Sequence, residues 1–486
     1  LDQYLEAADA IVEKALGVVE QPEVRSWHFD DNFYQGQELS YSHKAVYKYK
    51  YLCVYEVPNT VNHEGGYAAI EAFKEGVHAD GFYDVKVLAH AMNREHPYDV
   101  NIFGMDPREP FRLGIVPGDA KAGVLHHPQP IEPKLAEVTV KDGEPKWYTM
   151  RVWLEKGQTP RFIFPNGMQN CRQAFSQIAS KYKYHWPKSD PYTGGIVEAR
   201  RVVLQHGKMP HIRIHEVDIS GPHFEQWPPA PQRLVFGEAG FQEKRSREIL
   251  QSFASRAYRR PATEGEVDRL LAVMEERKAA GKSPRAALLD ALKTVLCSPA
   301  FLYLAEPVQG EKSLLLDAHD LAARLSYFLW STMPDEKLRA AADRGEITRP
   351  AVLREELARL LDSPRADAFA QGFLDSWLNL RSLGDMPPDR DAFGRYYAKD
   401  LQNAMKRETQ LFFQNLIKTD GPITDFLDAD YTFVNKPLAD LYKLPVKWAP
   451  EKAHEFQRVS LTDRRRGGLL GMGSVLTVTA NGIETS

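Results

Sequence analysis

The stretch GPHFEQWPPAPQ, Gly221–Gln232, decides how this chain is divided. Pro222, Pro228, Pro229 and Pro231 fall within ten residues. Each fixes φ, removes a backbone donor and restricts the residue before it, so the segment neither continues a sheet nor opens a helix cleanly. It reads as a stiff, extended exit between two regions. Upstream of it the apolar residues alternate, and downstream they recur every three or four.

Upstream, from about Arg25, short alternating runs dominate: YKYKYLCVYEV (Tyr47–Val57), YDVKVLAHAM (Tyr83–Met92), YDVNIFGM (Tyr98–Met105), FRLGIV (Phe111–Val116), AEVTV (Ala136–Val140), WYTMRVWL (Trp147–Leu154), RFIFPNG (Arg161–Gly167), RVVLQ (Arg201–Gln205) and IRIHEVDI (Ile212–Ile219). Aromatic and β-branched residues alternate with polar ones, and Gly, Pro, Asp and Asn separate the runs, which is the strand pattern of a sandwich. Asn170–Tyr184 is more helical in pattern and reads as an insertion or a long loop. Leu1–Val19 reads as one helix that gives way at Gln21-Pro22.

Downstream, helices follow one another. Thr263 with Glu266 forms a capping box, and Ser283-Pro284 opens the next helix. In DAHDLAARLSYFLW, Asp317–Trp330, Asp317 stands at the N-cap and Leu321, Leu325, Phe328 and Leu329 share a face. A long helix runs from about Phe393 to Lys418, and Asn435 caps a short one with Pro437 in its first turn. The spacing therefore predicts a multidomain chain, an N-terminal mainly-β, jelly-roll-like sandwich domain followed by an all-α helical domain. The expected segments are 1–20, a helix that looks like the tail of something longer; 21–232, the β-sandwich; 237–308 and 314–445, helical; and 455–486, a last stretch with the Gly-rich LLGMGS.

At 486 residues the chain is too long for one hydrophobic core. Its formal charge of −4 argues against bulk attraction to nucleic acid or an anionic membrane. No apolar run reaches the ~18 residues of a transmembrane helix. The three cysteines, Cys53, Cys171 and Cys297, form no CxxC and no haem-attachment CxxCH.

Few residues invite chemistry. In the long helix Leu401, Met405, Glu408, Phe412 and Leu416 form one stripe, which places the carboxylate of Glu408 among apolar side chains. A buried charge must be paired or neutralised. Arg324, at the edge of the apolar face of its own helix, is the expected partner in an orientation-fixing ion pair, and the two are at the same time the candidate catalytic residues. Asp428 and Asp430 are metal candidates, although the central Gly and closing Glu of a calcium loop are missing. Arg464-Arg465-Arg466-Gly467-Gly468 offers an anion site at a helix start, with no preceding strand to make it a dinucleotide site. Thirteen of the 15 histidines lie in the β-region. His211, Arg213 and His215 share a strand face near His206, but imidazoles at i and i+4 of a strand stand ~13 Å apart, too far to chelate one ion without other strands. Trp27, Tyr34, Trp153, Trp186 and Tyr192 are candidates for a sugar-stacking platform. No Ser-His-Asp pattern, HExxH or P-loop is present.

The helical half resembles the planctomycete-type multidomain cytochrome-c-like proteins of unknown function. The matching stretches are FASRAYRRPAT (Phe253–Thr263), TVLCSPAFLY (Thr294–Tyr303), LAARLSYFLWSTMPDEKL (Leu321–Leu338), FLDSWLNLRSL (Phe373–Leu383), KRETQLFF (Lys406–Phe413), LDADYTFVNKPLADLY (Leu427–Tyr442) and RRRGGLLGMGSVLTVTANGIETS (Arg464–Ser486). HEVDISGPHFEQWPP (His215–Pro229) is similar to the end of the β-domain in those proteins. The resemblance implies a fragment lacking CxxCH segments, with haem c attached outside these residues and export to the periplasm or cell surface. It also implies that 1–20 closes a preceding small domain and that 455–486 is the truncated start of a further C-terminal domain. The resemblance carries no established activity; the function expected on that footing is electron transfer by a haem-dependent oxidoreductase on or near a polysaccharide, with a redox partner protein. The alternative is a non-enzymatic glycan- or protein-binding scaffold. No catalytic residue carries over from the resemblance.

Overall fold

Strict alternation builds the β-region. In β6 (Gly81–Met92) every second residue is buried, and Tyr83, Val85, Val87 and Ala89 are fully enclosed. A strand presents successive side chains to opposite faces, so this pattern gives the sheet one core side and one outer side. The computed structural model describes residues 2–35, 47–58, 66–105, 109–119, 132–304, 308, 309, 312, 313, 315–385, 396, 401–449, 452–462 and 466–480.

Ten further strands join β6: β1 (Arg25–Phe29), β2 (Phe33–Gln35), β3 (Tyr47–Tyr49), β4 (Leu52–Val54), β5 (Tyr67–Ala69), β7 (Phe111–Asp119), β8 (Ala136–Val140), β9 (Lys146–Leu154), β10 (Gln158–Ile163) and β11 (His211–His223). One antiparallel sheet has the order β1-β11-β6-β9, with β4 also on β11, and a second has the order β5-β10-β7-β8. A single apolar cluster draws Val85, Val87, Val152 and Ile214 from the first sheet and Leu113, Ile115, Val140 and Phe162 from the second. The N-terminal region is thus β-rich and antiparallel, and a helical region follows, as the change of texture implies.

Two expected strands are not strands. YDVNIFGM turns through a 3-10 segment, Val100–Ile102, because the Asp99 carboxylate accepts from the Asn101 N–H at 3.1 Å and closes the chain locally. RVVLQ lies in the helix Ile196–His206, where Ala199, Val202 and Val203 recur at helical spacing. That helix packs with Cys171–Lys181, the expected helical insertion, over a separate apolar cluster containing Tyr55, Phe175 and Trp186.

Compact units do not follow chain order. Residues 1–21, 225–382 and 409–428 form one, and 22–224, 383–408 and 429–486 form the other. In the first unit the N-terminal helix, Asp2–Leu16, puts Val12 and Leu16 into one cluster with Leu250, Val267 and Leu292 from the helices Ser246–Tyr258, Glu264–Ala279 and Pro284–Leu296. The capping box at Thr263 and Glu266 and the Ser283 cap both form.

The helix Ala318–Trp330 is capped by Asp317, as its sequence suggests, but its buried face is rotated from the one expected. Ala322, Ala323, Ser326, Leu329 and Trp330 are enclosed, whereas Phe328 is 64% exposed and meets Phe369 at 4.9 Å between ring centres. Small residues allow close approach of neighbouring backbone, and Trp330 fixes the depth by donating from Nε1 to the Leu360 carbonyl at 2.9 Å.

In the second unit Leu401, Ala404 and Met405, from the helix Leu401–Thr419, cluster with Val434 of the strand Tyr431–Val434 and Leu438 of the helix Lys436–Tyr442. Phe162 is fully buried where β10 crosses the shared core of the two sheets. Phe162→Ala is expected to lower the stability of the β-region by about 3–5 kcal/mol, measured as a lower urea midpoint followed by near-ultraviolet circular dichroism.

Candidate functional site

Two groupings in the second unit have the character of sites. The first surrounds Glu408. The stripe Leu401, Met405, Glu408, Phe412 and Leu416 is buried throughout, and Glu408 is 1% exposed. Its Oε1 accepts from the Thr432 hydroxyl at 2.5 Å and its Oε2 from the Tyr442 hydroxyl at 2.6 Å. The Tyr442 oxygen in turn accepts from the Gly473 N–H at 2.7 Å. A Cβ on Gly473 would stand 2.8 Å from that oxygen and 3.0 Å from Met405 Cγ, so glycine there permits the approach.

Where the sequence suggested Arg324, the structure supplies Thr432 and Tyr442, with Arg466 as the cation acting on the carboxylate. Hydroxyl donors satisfy a buried carboxylate's oxygens without the cost of burying a second charge beside it. Arg324 belongs to the first unit, where its charge acts on Asp320. Arg466 lies with its guanidinium 4.0 Å above the Tyr442 ring and donates to the Gly471 carbonyl at 2.9 Å. Arg464 and Arg465, the rest of the expected anion site, lie outside the described residues.

Burial pushes Glu408 up to about 7, and the Thr432 and Tyr442 hydrogen bonds and Arg466 pull the other way. Burial, then Glu408 itself, drives Tyr442 well above its ordinary value. The cluster can therefore hold or release one proton at neutral pH at the Glu408 carboxyl, while Tyr442 remains a hydroxyl donor.

The second grouping is the outer face of the first sheet. Phe82, Asp84, Lys86, Leu88 and His90 of β6 point outward, and Trp147, Thr149, Arg151 and Trp153 of β9 stand beside them in antiparallel register. Trp147 is 46% exposed, Phe82 40% and Trp153 39%. Phe82 and Trp153 meet edge to face at 5.1 Å. Trp147 and Trp153 are six residues apart on one strand, ~20 Å along it. Between them Arg151 clamps Asp84 with bonds of 2.7 and 2.9 Å, which holds the Asp84 carboxyl below its ordinary range. His223 stands 3.7 Å from Asp84 and 3.3 Å from the Ser220 hydroxyl. On the neighbouring row His28 lies 2.5 Å from Asp218, and that hydrogen bond raises the imidazole's affinity for a proton.

Of the expected stacking residues, Trp153 alone among the described side chains lies on this face. Trp27 is half-buried against Phe73 at 5.0 Å, Trp186 is buried and donates to the Ala179 carbonyl at 2.8 Å, and Tyr192 is half-buried on the Phe175 cluster. The Tyr34 side chain lies outside the described residues. Phe82 and Trp147 were not singled out from sequence, although the alternation of WYTMRVWL puts both tryptophans on the same face. Of the histidines on that strand, His211 is buried, bonded at Nδ1 to the Met209 carbonyl at 2.8 Å and pushed down to about 3 by burial, and His215 meets His90. Asp428 and Asp430 are exposed, and among the described residues no group of three or more His, Cys, Asp and Glu is arranged to hold a metal.

A covalently held c-type haem needs two thiols and a following histidine. Cys53 and Cys171 are buried in the Phe175 cluster, Cys297 ends the helix Pro284–Leu296, and none of the three is followed by histidine. The residues present do not fit that group.

Because the folded carboxyl of Glu408 titrates near 7 and its ordinary value is 4.5, the native state keeps a proton that the unfolded chain loses between these two values. Its contribution is present below pH 4.5, falls as pH rises to 7 and is flat above, by about 3 kcal/mol in all. Glu408→Gln is expected to abolish that slope. Denaturant titrations at pH 5 and pH 8 measure it, and a stability difference between variant and wild type that is equal at the two pH values overturns it.

Two stretches match protein-family models. Residues 316–444 match PSD4, described as a protein of unknown function (DUF1592), and residues 245–306 match PSD5, described as a protein of unknown function (DUF1595). No curated protein matches the chain. Both matched stretches fall on the helical segments that carry the resemblance to planctomycete-type cytochrome-c-associated proteins.

Proposed function

We propose that this chain is a glycan-binding scaffold of an exported, periplasmic or cell-surface protein. In this reading the β-region is a sandwich of the jelly-roll kind that holds a polysaccharide along the outer face of its first sheet. The observation that supports it is the exposure of Phe82, Trp147 and Trp153 on one sheet face, with polar side chains between them. Sugar rings carry apolar C–H faces that stack on aromatic rings and hydroxyl edges that exchange hydrogen bonds with carboxylates, guanidinium and imidazole groups. Two tryptophans ~20 Å apart along a strand suit a polymer better than a single sugar. Asp84 and Arg151 already satisfy each other, so they hold a fixed geometry against which hydroxyls can dock without ordering a long side chain.

Among the described residues no helix is long and apolar enough to cross a membrane. The redox reading, with haem c and a partner protein, rests on the resemblance, and the cysteines here give it no attachment point.

Affinity electrophoresis of the whole chain through gels containing soluble polysaccharides tests the scaffold reading. At least one polysaccharide is expected to retard the wild type, and Trp147→Ala and Trp153→Ala are each expected to weaken that binding about tenfold, the equivalent of ~1.4 kcal/mol. Retardation unchanged in both variants, or none with any polysaccharide, defeats it. A pyridine haemochrome assay on the protein purified from its own organism is expected to decide the redox alternative, and absence of covalent haem there ends that reading.

A further inference from the structure

We infer that His90 and His215 form a two-imidazole site for a divalent transition-metal ion on the outer face of the first sheet. On one strand His211 and His215 are too far apart to share an ion, but the adjacent strand supplies the second ligand. The β11–β6 register slips between Ile214 and Glu216, and His215 is the extra residue of that irregularity. A bulge re-aims the side chain it carries. Here it brings His215 Nε2 to 3.3 Å from His90 Nε2. Two imidazole nitrogens each about 2.0–2.1 Å from a tetrahedral Zn²⁺ stand about 3.3–3.4 Å apart, so the pair has the bite of a chelate before any ion arrives.

The tautomer is also set. His90 Nδ1 lies 2.6 Å from the Gly143 carbonyl, which can only accept, so Nδ1 carries the proton and Nε2 the lone pair. A ligating histidine is commonly oriented by such a bond from its other nitrogen to a backbone carbonyl. Gly143 has φ of +88°, a conformation that favours glycine, and this helps fix where that carbonyl points. Without metal, His215 Nε2–H donates to His90 Nε2. On binding, the His215 proton moves to Nδ1 and both Nε2 lone pairs face the ion, with no net change in protonation.

Both rings are partly exposed, and among the described residues no third His, Cys, Asp or Glu completes the set. The remaining positions belong to water or to an oxygen of a ligand. Arg213 is close by, stacked at 4.2 Å on the Tyr51 ring, which itself packs edge-on against His215. The two nitrogen donors select against Ca²⁺ and Mg²⁺, which take oxygen ligands, and for Zn²⁺ or Cu²⁺, the first-row ions that imidazole binds most strongly, while the charge of Arg213 weakens the binding of all these ions alike. His90 stands two residues beyond Leu88, the register partner of Trp147, so the site flanks the aromatic row. That the open positions take glycan hydroxyls rests on the scaffold reading above. The metal site itself does not.

Calorimetric titration of the full chain with Cu²⁺ and with Zn²⁺, no glycan present, tests it, together with electron paramagnetic resonance of the Cu²⁺ form. One ion per chain is expected, with hyperfine structure from two nitrogens. His90→Gln and His215→Gln are each expected to weaken binding at least about tenfold, while His319→Gln, in the other unit, leaves it unchanged. Circular dichroism of each variant shows whether the fold survives, and Gln keeps a polar group of similar reach. Absence of binding, or wild-type affinity in both pair variants, overturns the assignment and makes the contact an ordinary hydrogen bond between imidazoles. If metal binds but polysaccharide does not, only the glycan reading falls.

Discussion

Two-residue periodicity in β6 is the constraint on which the β-region depends. It sends Tyr83, Val85, Val87 and Ala89 into a core shared with the second sheet and leaves Phe82, Asp84, Lys86, Leu88 and His90 outside. A register slip of one residue would exchange those sets and bury two charges and an imidazole. The hydrophobic core therefore fixes the outer face as firmly as the inner one. Register then does the rest: Asp84 meets Arg151, Phe82 meets Trp153 and Leu88 meets Trp147 because their strands pair in one way only. The β11–β6 pairing breaks that regularity twice, between Ile214 and Glu216 and between Ser220 and His223, and the first break places the His215 side chain where regular pairing would not.

Much of this could be read from sequence. The change of texture at Gly221–Gln232 marks the passage from strands to helices, and the units divide nearby, between Phe224 and Glu225. Capping signals at Thr263, Ser283, Asp317 and Asn435 all formed, because a cap involves residues three or four apart and needs no tertiary information. The burial of the Glu408 stripe followed from its helical spacing. What failed was whatever depended on a neighbouring element. RVVLQ has too few apolar residues to separate strand from helix until its packing against Cys171–Lys181 is known. The Phe328 face lost to small residues because close helix approach depends on the partner surface.

The sites show the same limit. Trp153 can be placed on a strand face, but whether a face is core or surface depends on what packs over it, and Phe73 packs on Trp27 while Trp153 stays 39% exposed. Sequence points to a cation as the partner of Glu408, because it reveals charge more readily than geometry. The hydroxyls of Thr432 and Tyr442, 24 and 34 residues away, carried no sequence signal marking them as its donors. The His90–His215 contact spans 125 residues and depends on a bulge, which no local pattern in IRIHEV announces.

A buried carboxyl that titrates near 7 costs stability at neutral pH, and apolar residues of similar volume would pack in its place at less cost. What Glu408 provides in exchange is direction. An apolar side chain is content with many arrangements of its neighbours, whereas this carboxyl is satisfied only when the strand carrying Thr432 and the helix carrying Tyr442 both present their hydroxyls, and Tyr442 in turn only when Gly473 approaches. One side chain thus fixes three separate segments of the second unit against the helix Leu401–Thr419. The requirement is geometric and does not depend on whether the carboxyl is charged: protonated, it can donate to one hydroxyl and accept from the other, and ionised, it accepts from both. The arrangement therefore survives the titration that its own burial brings into the physiological range.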